Sequence, residues 1–308
     1  MKPILSSLAA LLLVLWTAGC SHAGTRPQSQ QRDTVVQFRM PDIPAAITNP
    51  GDRADYLTYH YWDHFNFADT TLIGRADITE QAFADFLSVL PYAQEQQRAV
   101  DRLFERAADN PGMLYHFISL AELYLYEPNS PMRNDELYLL VLQALTNSDR
   151  LDETDKLRPR ALLELVQRNR PGTVAADFVY TLRDGRQGRL SDIKSPCTLI
   201  FFNDPECSDC KRVKRYLQGS PVVRRAIAEG RLTLLAVSVE GATPAWREAV
   251  VPSDWIWSCD EAQQLSEEQR YDLKAIPTLY LLDAGKRVLL KDATVEAVEQ
   301  RLQEAAAE

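Results

Sequence analysis

The sequence predicts an α + α/β chain: an N-terminal helical bundle followed by a central mixed β-sheet flanked by helices. Two changes of pattern carry this. Apolar residues recur at helical spacing from Gly51 to about Gly172, and beyond Gly172 short apolar runs alternate with helical stretches. A length of 308 residues also exceeds one ordinary domain. The expected organisation is a leader over 1–20, a flexible linker over 21–48, a helical domain over 49–171 and an α/β domain over 172–308.

The leader has a basic start at Lys2 and an apolar run from Ile4 to Trp16. A membrane span needs about 20 apolar residues, so the run has signal-peptide length. It closes on Thr17-Ala18-Gly19-Cys20, which resembles the lipobox of bacterial lipoproteins. The resemblance implies acylation of Cys20 and a body tethered by lipid, with no other membrane contact. Ser21, where an Asp can act as a retention signal, leans the expected location to the outer membrane, facing the periplasm. Ser21 to Asp33 is polar and aperiodic, as a spacer would be.

In the helical half, Phe83, Phe86, Leu87 and Leu90 form one stripe, ended by Pro91. Val100, Leu103, Phe104 and Ala107 form the next, before Asn110-Pro111-Gly112. Leu114, Phe117, Ala121 and Tyr124 follow, then Leu137, Leu140, Val141 and Ala144, then Leu162, Leu165 and Val166. Short connections predict antiparallel packing. The opening stretch Tyr56 to Phe67 is read as a helix whose aromatics enter the core. His60 and His64 share its face, but no Glu follows His60 and no third ligand is identifiable, so no metal is expected.

In the α/β half, Phe178–Leu182, Asp184-Gly185 and Gly188–Leu190 read as a hairpin. Thr198–Phe202 is a central strand, followed by two cysteines and a helix through Val213–Leu217. Ser220-Pro221 opens another helix and Gly230 stops it. Leu232–Val239 and Trp255–Ser258 are strands, and helix is expected from there to about Leu273. Thr278–Leu282 and Val288–Leu290 pair around Asp283-Ala284-Gly285, and Val295, Val298 and Leu302 mark the closing helix.

Cys207 and Cys210 are three apart, after a buried strand and at the start of a helix. That spacing brings both sulfurs to one face, and a helix N-terminus favours a thiolate. The first cysteine is then the exposed nucleophile and the second, lying deeper, resolves the mixed disulfide. Ala275-Ile276-Pro277-Thr278 precedes a strand. Together with Ala176-Asp177-Phe178, Phe201-Phe202 and Leu281-Leu282-Asp283, these residues resemble the thioredoxin superfamily, specifically its TlpA- and ResA-like envelope branch, over about Gly172 to Glu308. The resemblance implies a cis Pro277 against the disulfide, with Ile276 and Pro277 shaping the substrate groove. The Tyr56–Tyr61 and Tyr138–Leu165 regions resemble an uncharacterised domain preceding thioredoxin-like domains in Bacteroides-type lipoproteins.

Three departures qualify the likeness. Glu206 stands where thioredoxins usually have Trp. The assisting carboxylates of thioredoxins and of ResA-like proteins would fall at Phe201 and Val213, neither acidic. Asp204, Glu206 and Asp209 crowd the pair, partly offset by Lys211, Arg212, Lys214 and Arg215, which points to a reductant or slow exchanger. Cys197 reads as a packed thiol, and so does Cys259, whose place on the edge where this fold keeps its active site leaves exchange with Cys207 as the alternative. All four histidines precede the domain, so neither metal nor another cofactor is expected. A net charge of −9 argues against nucleic acid. The expectation is an envelope thiol-disulfide oxidoreductase with cysteine-containing envelope proteins and a thiol electron donor as partners. Its rival is a lipid-anchored interaction protein with a structural Cys207–Cys210 disulfide.

Overall fold

The computed structural model describes residues 37–307. The leader, Cys20 and most of the linker lie outside them. Of the described residues, 38–307 fall in one compact unit. Within the linker range, Phe38 is not free: its ring stacks on Tyr61 at 5.0 Å and meets Trp62 at 5.3 Å.

Six helices form the first half of this unit: α1 (Pro50–His60), α2 (Thr79–Val89), α3 (Gln96–Ala107), α4 (Pro111–Ala121), α5 (Asp135–Asn147) and α6 (Leu157–Val166). Their starts are written locally. The Asn49, Asn110 and Asn134 side chains accept from the first free N–H groups of α1, α4 and α5. Pro111 therefore opens a helix as well as ending the stretch before it. The expected helix over Tyr56 to Phe67 is shorter than predicted: α1 stops at His60 and residues 61–64 turn. Turning lets Tyr61, Trp62, Phe65 and Phe67 all point inward, onto Phe86 and Phe117, whereas a continued helix would spread them round its circumference. His60 is committed to Asp63 at 2.7 Å and His64 is exposed.

The second half is built on a sheet of seven strands among the described residues, in the order β2-β1-β5-β4-β3-β6-β7. In chain order these are β1 (Val179–Leu182), β2 (Gln187–Arg189), β3 (Cys197–Asn203), β4 (Leu232–Ser238), β5 (Ile256–Cys259), β6 (Thr278–Asp283) and β7 (Val288–Leu290). β3, β4 and β5 run parallel, and β6 returns antiparallel beside β3. The sheet is mixed, as expected. Alternation along β3 divides the core: Leu199 and Phe201 face α7 (Ser208–Gly219), α8 (Pro221–Ala228) and α10 (Val295–Ala307), while Ile200 and Phe202 face Phe178, Tyr271 and Tyr280.

One expected helix is missing and one unexpected helix is present. Residues 260–277 contain no helix, although Glu261 to Leu273 is rich in helix formers. Both Asp260 carboxylate oxygens accept backbone N–H groups, from Gln264 and Leu265, and Gln263 and Gln269 adopt positive φ. Leu265 and Tyr271 are pulled into the core as separate anchors. Tertiary packing overrides propensity. The short α9 (Pro244–Glu248) is capped by Thr243 and seats Trp246 in the core.

Candidate functional site

Strand β3 delivers the chain to one end of the sheet. Asn203 closes the strand, its amide donating to Phe201 O and Val237 O, and Asp204–Glu206 turn into α7. Cys207 is the N-cap of that helix, and its Sγ accepts from Cys210 N at 3.3 Å. The Cys207 sulfur is thus held by one of the free N–H groups of the helix start. Cys207 is half-buried, whereas Cys210 is 3% exposed. Burial is the main cause that pushes the Cys210 thiol up to about 12, with Asp204 N, 3.5 Å from its sulfur, opposing.

Pairing of Thr278 with Phe202 brings the start of β6 beside the end of β3. Ile276–Pro277 is a cis peptide, and the Cys207 thiol points at Ile276 O from 3.9 Å. The structure therefore brings together Cys207, Cys210, Ile276 and Pro277. The cations of α7 are engaged next to the pair: Lys211 donates to Glu206 O at 3.1 Å and Arg212 to Asp209 at 2.5 Å.

Two more cysteines lie in this half, at opposite ends of the sheet: Cys259 ends β5, in register with Ser238 and through it with Asn203. Cys197 opens β3, about 20 Å from the strand's other end by strand geometry. Cys259 is fully buried, and burial pushes its thiol up to about 11.

Several surrounding residues had no sequence signal. A groove of about 410 Å³ beside Pro277 is walled on one side by Pro128, Asn129 and Arg133 from the helical half and on the other by Arg212 and Val295. A second cavity, of about 270 Å³, lies behind Cys210. The loop before Pro277 is tied to the helical half by buried charges. Lys274 Nζ lies 2.9 Å from Asp272 and 3.0 Å from Asp135, and Lys291 reaches Asp135 at 2.9 Å. Arg133 reaches Asp292 at 3.2 Å, and the Tyr126 hydroxyl reaches Asp272 at 3.1 Å. Apart from Lys274 and Asp272, these partners are more than a hundred residues apart in the chain, so no local pattern could have revealed them.

Residues 19–169 match a family described as a domain of unknown function, DUF5106. A crystal structure of a thioredoxin-like protein from Bacteroides caccae is 41% identical, covers 88% of this chain and 99% of its own, and superposes with a TM-score of 0.82. The C-terminal domain of an uncharacterised protein from Bacteroides fragilis is 39% identical over 44% of this chain and 98% of its own, with a TM-score of 0.43. The thioredoxin domain of a thiol-disulfide oxidoreductase from Bacteroides vulgatus is 19% identical over 44% of this chain and 97% of its own, with a TM-score of 0.38. No curated protein matches.

Proposed function

The chain belongs to the thioredoxin-like proteins, with an N-terminal helical domain of unknown function, and on that premise we propose that it exchanges disulfides with protein cysteines through Cys207 and Cys210. The observation that carries this reading is the Cys207 sulfur itself. It is half-buried at a helix N-terminus, faces Ile276 O, and has a second, buried thiol one helical turn behind it.

In the proposed reaction the Cys207 thiolate attacks one sulfur of a client disulfide. The client S–S bond breaks, a Cys207–client disulfide forms, and the other client sulfur leaves as thiolate. Cys210 then attacks Cys207 Sγ, so the pair ends oxidised and the client reduced by two electrons. A thiol donor returns the pair to the reduced form. The reductive direction is favoured by the surrounding charge. Asp204, Glu206 and Asp209 cluster there, while Lys211 and Arg212 point their cations at a backbone oxygen and a carboxylate. Cys20 as a lipid anchor, holding the protein in the bacterial envelope at the periplasmic face of the outer membrane, belongs to the same proposal.

Insulin reduction tests the activity. Wild type outpacing Cys207→Ser supports it, and equal rates would leave a non-enzymatic interaction module with a structural disulfide. That second reading draws on Phe201, fully buried where thioredoxins place an assisting carboxylate. Trapping of mixed disulfides on Cys210→Ala in the native envelope identifies the clients.

A further inference from the structure

The resolving step needs a base, because Cys210 is a buried thiol whose proton is held tightly. Lys214 follows Cys210 by one turn of α7, so the two side chains share a helix face. Both line the cavity of about 270 Å³, together with Phe201, Asn203, Glu248 and Trp257. A space of this size has room for several waters.

The Trp257 wall of the cavity is fixed. Trp246 Nε1 donates to Ser258 O at 2.9 Å, Trp257 Nε1 to Trp246 O at 3.1 Å, and Arg183 to Trp246 O at 3.0 Å. Lys214 Nζ donates to Val250 O at 2.5 Å and lies 5.5 Å from the Trp257 ring.

The charged groups around Lys214 are Arg183 after β1, Asp204 before α7, Lys211 on α7 and Glu248 on α9. Arg183 cannot act as a base. Asp204 accepts from Glu206 N at 2.9 Å, and Lys211, which turns to Glu206 O, and Glu248 are both exposed, whereas Lys214 is half-buried. Burial first, and the Arg183 charge second, lower the Lys214 pKa from the ordinary lysine value.

We propose that Lys214 accepts the Cys210 proton, through water in this cavity, as the mixed disulfide on Cys207 is resolved. The inference rests on the exchange activity proposed above. The Cys210 S–H proton passes to the neutral Lys214 amine. The Cys210 thiolate forms the Cys207–Cys210 bond, the Cys207–client bond breaks, and the client sulfur leaves with the electron pair. The Lys214 ammonium then returns its proton to that thiolate or to solvent.

The test uses the reduced full chain carrying Cys20→Ser, Cys197→Ser and Cys259→Ala, mixed with dithiobis(nitrobenzoate) under stopped flow. Attack by Cys207 releases one thionitrobenzoate, and resolution by Cys210 releases a second. The ratio of the second rate to the first is the readout, so a global folding defect does not mimic the effect. Lys214→Met lowers that ratio by about 10- to 100-fold at neutral pH, the range at and below the usual contribution of a positioned base. The deficit shrinks as hydroxide takes over at high pH.

Lys214→Arg stays slow, because arginine keeps the charge and loses the base. Full recovery in Lys214→Arg, an unchanged ratio in Lys214→Met, or the same loss in Glu248→Gln would each overturn the assignment to Lys214. A parent protein that releases no second equivalent, or whose first release survives Cys207→Ser, would instead overturn the exchange reading beneath it.

Discussion

Replacing Lys274 by Met removes one cation from a cluster in which Lys274, Lys291 and Arg133 balance Asp135, Asp272 and Asp292. The Lys274 side chain is 3% exposed and its Asp272 partner 2%. Their attraction is therefore little screened, and the Asp272 carboxylate left behind cannot reach water. Breaking a buried pair from one side costs about 3–5 kcal/mol, much of it from the stranded charge. For a unit of this size that is a fall in melting temperature of roughly 6–20 °C, taking about 2–4 °C per kcal/mol.

The pH dependence makes the prediction sharper. Burial pulls the Asp135 carboxyl up, but the Lys274 and Lys291 ammoniums outweigh it and hold the group below its ordinary value. A depressed carboxyl contributes stability above its unfolded pKa of about 3.9 and loses it as pH falls further. Burial raises Asp292, which Arg133 and Lys274 only partly offset. Without Lys274 both carboxyls rise, so the variant gains relative stability by taking up protons. Melting followed by circular dichroism should show the largest deficit at pH 7 and a smaller one at pH 5. A deficit under about 1 kcal/mol, or one that grows on acidification, refutes the reasoning.

Three further outcomes are expected. Iodoacetamide at pH 7.5 labels Cys207 well ahead of Cys210 and Cys259, whose burial pushes their thiols to about 12 and about 11; peptide mass spectrometry reads the order, and Cys259 labelled first contradicts the packing. Phe38→Ala removes ring contacts with Tyr61 and Trp62 and lowers stability by about 1–3 kcal/mol in urea unfolding, whereas no change would mean that the segment before α1 is not docked. Gly188→Ala places a Cβ 2.5 Å from the Tyr180 ring and costs about 1–3 kcal/mol by overpacking the β1–β2 hairpin, which the same unfolding experiment checks.

The legible parts of this chain are those whose causes are local. The Cys207–Cys210 pair could be placed because strand, turn and helix follow one another within about a dozen residues, and the turn leaves the first sulfur at the helix tip. Ser220, Pro221 and Gly230 marked α8 for the same reason: Ser220 Oγ accepts from Val223 N, and Gly230 takes a positive φ. Thr243-Pro244 carries the same start signal as Ser220-Pro221 and would have revealed α9. The 260–277 segment was misread because helix formers say nothing of the Asp260 carboxylate or the core sites awaiting Leu265 and Tyr271. Lys214 reads in the sequence only as one of four basic residues on α7; Lys211 lines the same cavity, and what sets Lys214 apart is its partial burial between Val250 O and the Trp257 ring.

That missing helix bears on what the N-terminal half does. A helix before β6 would fix Ile276 by its own hydrogen bonds. The segment instead depends on side-chain anchors. Some come from its own half, such as the Tyr271 hydroxyl donating to Ala176 O at 2.8 Å. Others come from the helical half: Arg168 donates to Glu268 O at 2.9 Å, Asn169 to Arg270 O at 2.8 Å, and Asp135 holds Lys274 two residues before Ile276. The backbone that faces Cys207 is therefore positioned in part by a domain with no cysteine of its own among the described residues. Loss of those anchors should disturb the Ile276 edge before it disturbs the Cys207–Cys210 turn, which is held from within β3 and α7. A variant such as Lys274→Met should accordingly lose reactivity with a protein disulfide, which must lie along that edge, more than with a small aromatic disulfide, which needs only the sulfur. Equal losses toward both would mean that the helical half does not position the groove.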